Sequence, residues 1–186
     1  MLKADFHTHT TYCDGKNTPA EMVKAAYDMG FTDFGISGHG DYSPAEPGFG
    51  MTDSILSSYM KELYELREQY RGKMNLYIGI ETDCLGPVQK AEYTIGSTHY
   101  LEKNGTFVTV DASADVQKSA VHQLWNDDWY AFTRDYYETE ALVYDRTCCD
   151  WVGHFDLITK FNEGYRYFDE SSDAYLEPAL AAMKKL

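Results

Sequence analysis

Five of the six histidines lie at or just beyond the ends of predicted strands. They are His7, His9, His39, His99 and His154, whereas His122 falls within a predicted helix. A carboxylate, Glu81, is expected to follow the end of another strand. Parallel strands end at one common edge, where barrel enzymes assemble their active sites. We therefore expect the five histidines and Glu81 to lie together and to form the catalytic centre.

These residue types are those that bind divalent metal ions. Imidazole and carboxylate together suit Zn²⁺, Mn²⁺ or Fe. His7 and His9 would share one face of the first strand, because strand side chains alternate between faces. One tetrahedral zinc needs fewer ligands than this set offers, so the sequence predicts two or three ions with Glu81 as a candidate bridge. A single such histidine would more simply be a hydrogen-bonded core or surface residue.

Asp14 is a further candidate ligand, because it follows His9 in the loop above the same edge. Residues 12–15 also form a turn signal, so an ordinary turn aspartate is the alternative. The neighbouring Cys13 is a less favoured soft ligand.

The elements that position these residues alternate between short apolar runs and longer periodic segments, which predicts repeated β/α units. The predicted strands cover residues 2–7, 33–37, 75–80, 93–97 and 151–153. The predicted helices run from a Thr18–Glu21 capping box to Gly30, from Thr52 to near Gly72, and over residues 113–125, 128–144 and 173–186. The third and fourth helices follow each other with no strand between them.

Length and charge exclude several classes of protein. The 186 residues fit one domain but are few for a complete α/β barrel, which usually needs about 250. Sixteen basic against 30 acidic residues give a net charge of −14, which disfavours nucleic-acid binding. We expect no membrane span, no secretory signal, and reduced cysteines in a cytoplasmic protein. Bound metals would let so acidic a chain hold an anionic substrate.

Six short motifs, in this order, resemble those of the PHP (polymerase and histidinol phosphatase) family of metal-dependent phosphoesterases. They are DFHTHT at 5–10, DG at 14–15, ISGH at 36–39, GIE at 79–81, GSTHY at 96–100 and GHFDLITKF at 153–161. The last is most similar to the histidinol-phosphatase branch. The resemblance implies a single α/β domain over residues 1–186, with a distorted (β/α)7 TIM-like barrel.

The same resemblance implies a trinuclear site and a reaction. His7, His9 and Glu81 would hold the first metal. Glu81, His99 and His154 would hold the second, and Asp14 and His39 the third. Water activated by these ions would hydrolyse a small phosphate monoester, with L-histidinol phosphate of histidine biosynthesis as the first expectation. Lys160 matches a position of the branch signature but receives no role, and we expect an exposed lysine.

The chain departs from the family pattern near its end. The family closes with an Asp-x-His pair after a late strand, and no such pair follows His154. Residues 172–175 are superficially similar, but Tyr175 stands in place of the histidine and Asp173 reads as a helix cap. We therefore expect a barrel that is incomplete at its C-terminus, in a fragment or a truncated gene product.

Three other interpretations stay open. An amidohydrolase-type barrel also begins with an H-x-H pair on its first strand. A different PHP phosphoesterase could act on a nucleotide or on another sugar or amino-alcohol phosphate. A chain that lacks its last ligands could also bind metal without performing any chemistry.

Overall fold

A computed structural model describes residues 3–186 as alternating strands and helices. Leu2, the first residue of the predicted first strand, lies outside this range. The strands are β1 (Ala4–Asp5), β2 (Asp33–Ile36), β3 (Asn75–Asp83), β4 (Tyr93–Ser97), β5 (Tyr100–Lys103), β6 (Thr106–Thr109) and β7 (Trp151–Val152). The helices are α1 (Pro19–Asp28), α2 (Asp53–Gln69), α3 (Ala114–Trp125), α4 (Trp129–Glu140), α5 (Val143–Thr147), α6 (Asn162–Tyr165) and α7 (Asp173–Lys185).

Five strands form one parallel sheet in the order β1-β2-β3-β4-β7. The sheet curls, so that its two outer strands, β1 and β7, approach each other. The ring centroids of Phe6, which follows β1, and Trp151, in β7, are only 5.5 Å apart. The predicted α/β class with parallel strands is confirmed as a half-barrel. Residues 3–186 do not form a closed seven-stranded barrel.

Strand alternation on β3 separates the core from the inside of the curl. Leu76, Ile78 and Ile80 are buried in a core cluster with α1 and α2. Tyr77, Gly79 and Glu81 are on the opposite face, as their contacts with residues inside the curl show. One strand thus anchors the helices with one face and presents Glu81 with the other.

The first two helices form where the sequence predicts them. The Thr18 side chain and Glu21 form the predicted reciprocal capping box at the start of α1. Helix α2 buries four residues at helical spacing, among them Tyr59. The Tyr59 hydroxyl donates to the backbone oxygens of Ile36 at 2.6 Å and Gly79 at 2.8 Å, so α2 is tied to both β2 and β3.

The aromatic ring of Tyr93 fills the inside of the curl below Glu81. Its hydroxyl donates to the backbone oxygen of Phe6 at 2.7 Å, and its ring packs against Trp151 at 5.1 Å. The ring lies directly over Gly35 and Gly79. A Cβ on Gly79 would stand 2.1 Å from Tyr93 Cζ, so this position must lack a side chain.

We expect Gly79→Ala to lower the free energy of unfolding by roughly 1–3 kcal/mol, because the added methyl group overpacks the site against a tethered ring. Gly164→Ala is the matched control, since a Cβ there meets no atom within 4 Å. Urea denaturation of both variants tests this. Equal midpoints for the two variants would contradict the packing that we describe.

A second core joins the long connection from β4 to β7 to the segment that follows β7. Most of its buried residues come from the β5–β6 hairpin and from helices α3, α4 and α7. The hairpin was not predicted, although Asn104-Gly105 is a strong two-residue turn signal. Both residues have positive φ, +53° and +77°, as that turn requires. The helix predicted over 128–144 ends at Glu140, and a separate α5 follows after a turn.

The segment that resembles the late family motif belongs to this second core. Ser172, not Asp173, is the N-cap of α7, and Asp173 is the first helical residue. An acidic residue is favourable there because the first turn carries the positive end of the helix dipole. Tyr175 is buried, and its hydroxyl lies 2.6 Å from that of Tyr137.

Glu140, at the end of α4, is a fully buried carboxylate with an unusual environment. Within residues 3–186, neither of its oxygens has a hydrogen-bond partner. Burial raises its pKa to about 7, because the charged form is poorly solvated there. Its proton is therefore held more tightly in the folded protein than in the unfolded chain.

Glu140→Gln should remove a loss of stability that the parent protein suffers as pH rises. The folded pKa of about 7 exceeds the ordinary 4.5, so stability falls between these values, by on the order of 3 kcal/mol in total. Unfolding of parent and variant at pH 5 and pH 8 measures this difference. Glu138→Gln on the exposed side of α4 should keep the pH dependence of the parent, because it retains Glu140. An equal change in the free energy of unfolding between pH 5 and pH 8 in both variants would contradict a neutral, buried Glu140.

Across residues 3–186, no helix has the length and apolar composition that a bilayer crossing requires. The four cysteines are free thiols, as expected.

Candidate metal centre

The predicted site residues converge at the carboxyl edge of the parallel sheet. His7 follows β1, His39 follows β2, His99 follows β4 and His154 follows β7. The position of Glu81 was predicted wrongly, since it lies inside β3 rather than after it. The reason is that β3 pairs with β4 from Gly79 to Asp83, which extends the strand beyond Ile80.

Glu81 lies at the centre of the site and is fully buried. Its Oε2 atom is 3.1 Å from His7 Nε2, 3.4 Å from His9 Nε2 and 3.0 Å from His39 Nδ1. A single carboxylate oxygen therefore faces three imidazoles.

The second oxygen of Glu81 faces the two remaining histidines. Oε1 lies 3.4 Å from His99 Nε2 and 2.9 Å from His154 Nε2. The Ser97 hydroxyl donates to the same oxygen at 2.7 Å. Glu81 is thus in contact with all five histidines that the sequence singled out.

The five imidazoles form a closed ring around Glu81. Neighbouring ring centroids are 4.2–5.6 Å apart, in the order His7, His9, His39, His99, His154 and back to His7. Five rings from four different chain segments would not crowd one carboxylate to pack a core, because imidazole is a poor substitute for an apolar side chain. The arrangement is typical of a metal site.

Asp14 and Cys13 lie beside the ring. Asp14 Oδ1 is 3.6 Å from His9 Nδ1 and 3.5 Å from His39 Nε2, and the side chain is half exposed. Cys13 Sγ lies 3.6 Å from His9 Nδ1, but burial raises the pKa of its thiol, which opposes metal binding as thiolate. Asp14 is the better placed of the two.

The electrostatics of the centre are dominated by Glu81. Burial alone would raise its pKa, yet contacts with the surrounding histidines hold that pKa well below its usual range. Burial lowers the pKa of His9 to about 4, and His39 adds to this effect. Burial also disfavours a charged His99, but Asp83 and Glu81 raise its pKa to about 10. The contact with Glu81 raises the pKa of His7.

The donor set fits divalent ions. Among the described residues, Glu81 Oε2 has no hydrogen bond of good geometry although three ring nitrogens surround it, and the buried His154 Nδ1 has none either. Two groups of potential ligands share Glu81, namely His7, Glu81 and His154, and His9, His39 and Glu81. A third combines His9, Cys13 and Asp14. These groups pair the histidines differently from the resemblance, so the ligand set of each ion stays a prediction.

Sequence reasoning missed three residues that contact this centre. Ser97 donates to Glu81, Asp83 accepts the backbone N–H of His99 at 2.7 Å, and Tyr42 contacts His39 and His99. Asp83 had a signal, because it follows Glu81 by two residues on the same strand face. Tyr42 had none, since only the folded loop brings it to the site.

Two residues lie outside the cluster, as expected. His122 is exposed on α3, with its Nδ1 atom 3.0 Å from Asp127. The Lys160 ammonium is half exposed and donates to the backbone oxygen and Oδ2 of Asp111, at 3.0 and 3.1 Å.

A family model described as the PHP domain matches residues 5–185. The chain belongs to the PHP domain family. It is 26% identical to a probable histidinol-phosphatase of Deinococcus radiodurans over 84% of this chain and 62% of that relative. It is 23% identical to a histidinol-phosphatase of Bacillus subtilis over 90% of this chain and 70% of the relative. The chain thus spans under two thirds of the first of these proteins.

Two solved structures share the fold of this PHP domain. A Listeria monocytogenes protein assigned as a histidinol phosphatase matches 98% of this chain with a TM-score of 0.80 and 23% identity, over 79% of its own length. The histidinol phosphate phosphatase of Lactococcus lactis, solved with zinc, L-histidinol and phosphate, matches 98% with a TM-score of 0.65 and 19% identity, over 70% of its length. At these identities the similarity shows the fold alone.

We expect His9→Ala and Glu81→Gln to lower the affinity for Zn²⁺ or Mn²⁺ by more than about 100-fold, beyond the usual effect of losing an outer-shell partner. The reason is that each variant removes a donor from the centre. Metal content after dialysis, measured by mass spectrometry, checks this. His122→Ala is the control and should bind as the parent does. Full metal occupancy in His9→Ala would contradict the assignment of His9 as a ligand. Loss of metal in His122→Ala would show that His122 was wrongly placed outside the centre.

Proposed function

We propose that this PHP domain is a metal-dependent phosphatase that hydrolyses a small phosphate monoester, with L-histidinol phosphate as its substrate. The observation that carries the proposal is the ring of five histidines around one buried, ionised carboxylate at the carboxyl edge of a parallel sheet. The histidinol-phosphatases among the relatives, and the Lactococcus lactis complex with zinc, L-histidinol and phosphate, support the choice of substrate.

The residues that would hold the ions are His7, His9, Asp14, His39, Glu81, His99 and His154. When bound, two or three divalent ions supply positive charge for the phosphate oxygens and lower the pKa of an attacking water. Glu81 would bridge two of them, because both of its oxygens face histidines.

The chain itself provides orientation and access. The Ser97 hydroxyl holds Glu81 Oε1 in place, so the carboxylate cannot rotate away from the histidines. His7, His9 and His154 are about a quarter to a third exposed, whereas His39 and His99 are largely covered. The phosphate would therefore approach from the side of His7, His9 and His154.

Charge favours this class of substrate. The ions would neutralise the phosphate, and the acidic protein, at −14, would attract the cationic amine of an amino alcohol. The same excess of negative charge would repel nucleic acid. A cytoplasmic location and a seven-stranded barrel in the whole protein belong to this proposal as well.

The decisive experiment measures release of inorganic phosphate from L-histidinol phosphate with added Mn²⁺ or Zn²⁺, using His9→Ala as the blank. We expect release well above the blank, because the parent would retain every donor of the centre. We also expect kcat/KM for this substrate to exceed that for a sugar phosphate or a nucleoside monophosphate by about 100-fold or more, as recognition of its polar groups would require.

Each other outcome points to a different protein. Equal rates for all three substrates would favour a PHP phosphoesterase with another natural substrate. Bound metal without release of phosphate would leave a metal-binding domain and would contradict the proposed reaction.

A further inference from the structure

Tyr42 is a buried residue of the loop between β2 and α2, and it joins two of the proposed ligands. Its hydroxyl contacts Nδ1 of His39 and lies 2.9 Å from Nδ1 of His99. Its ring also stacks on the imidazole of His99, with centroids 5.2 Å apart and planes at 26°. One phenol is therefore shared by histidines from two different loops.

The opposite nitrogens of both histidines point toward carboxylates of the centre. His99 Nε2 lies 3.4 Å from Glu81 Oε1, and His39 Nε2 lies 3.5 Å from Asp14 Oδ1. Both imidazoles thus turn Nδ1 toward Tyr42 and Nε2 toward acidic groups that would share an ion with them.

Carboxylates also lie near the Nδ1 atoms. Nδ1 of His99 lies 3.4 Å from Asp83 Oδ2, and Nδ1 of His39 lies 3.0 Å from Glu81 Oε2. A phenol oxygen has two lone pairs and one hydrogen, so the Tyr42 hydroxyl can hydrogen-bond to both rings at once.

We propose that Tyr42 is a positioning residue that fixes the orientation of the His39 and His99 rings. The inference rests on the metal site of the proposed function. Metal-binding histidines generally donate their second N–H to an acceptor that orients the ring, and the loss of such an acceptor weakens binding. Here one hydroxyl would serve two ligands at once.

The loop that carries Tyr42 is itself held firmly, so the hydroxyl has a fixed position. The Gly40 N–H donates to the backbone oxygen of Glu81 at 2.8 Å, and the backbone N–H of Glu81 donates to the backbone oxygen of Gly38 at 3.0 Å. The Asp41 N–H donates to Gln89 Oε1 at 2.8 Å. The loop therefore continues the pairing of β2 with β3. It brings Tyr42 to the covered side of the centre, which we call its back, next to His39 and His99.

Tyr42→Phe tests the proposal, because it removes the hydroxyl and keeps the stacked ring. Competition with a chromogenic chelator should show a fall in Zn²⁺ affinity of about 10–100-fold.

Tyr59→Phe is the matched control. Tyr59 is equally buried and its hydroxyl also makes two hydrogen bonds, but to backbone oxygens away from the histidines. We expect this variant to lower the denaturation midpoint while it leaves the Zn²⁺ affinity unchanged.

Two results would overturn the proposal. One is an unchanged Zn²⁺ affinity in Tyr42→Phe, and the other is an equal loss of affinity in both variants. None of these measurements uses substrate, so an absence of phosphatase activity would count against the proposed function and not against the role of Tyr42.

Discussion

The burial of one ionised carboxylate is the constraint on which the rest of this structure depends. A charged group without solvent is strongly unfavourable unless other groups compensate it. At Glu81 the compensation comes from five imidazoles and the Ser97 hydroxyl, which must arrive from four separate chain segments. The parallel sheet makes this meeting possible, because its strands all end at the same edge. The fold thus creates the site, because the residues at the ends of the strands are those that stabilise the charge of Glu81.

The alternation of β3 explains how a strand can hold such a group without losing its core. The residues on its outer face are apolar and pack under α1 and α2, so the strand is anchored independently of the site. On the inner face the ring of Tyr93 occupies the space above Gly79 and supports the strand just before Glu81. This aromatic ring below the carboxylate limits the contact of Glu81 with water from that side. Burial opposes the low pKa of Glu81, which arises from the contacts with the surrounding histidines and not from solvation.

Local signals in the sequence predicted the elements and the cluster, but not its internal connections. The capping box of Thr18 and Glu21 and the position of His122 on a helix depend on neighbours in the chain, and both were predicted correctly. The extension of β3 past Ile80 depends on pairing with β4, a contact that no local pattern reveals. The Asn104-Gly105 turn has a local signal, but the stronger helical periodicity that follows it dominates the prediction for this region. Tyr42 had no signal, because its partners are set by a loop whose course depends on the fold.

The centre has two sides with different physical characters. At the back, His39 and His99 are covered and share the Tyr42 hydroxyl, so their rings lose little further freedom when they bind an ion. At the front, His7 and His154 follow β1 and β7, strands of only two residues, and are more exposed. Pre-organised ligands favour tight binding, because less conformational entropy is lost on binding. Exposed ligands leave room for a phosphate to reach the same ions. The proposed phosphatase would need both to retain metal and to exchange substrate, and this division of the site would allow both.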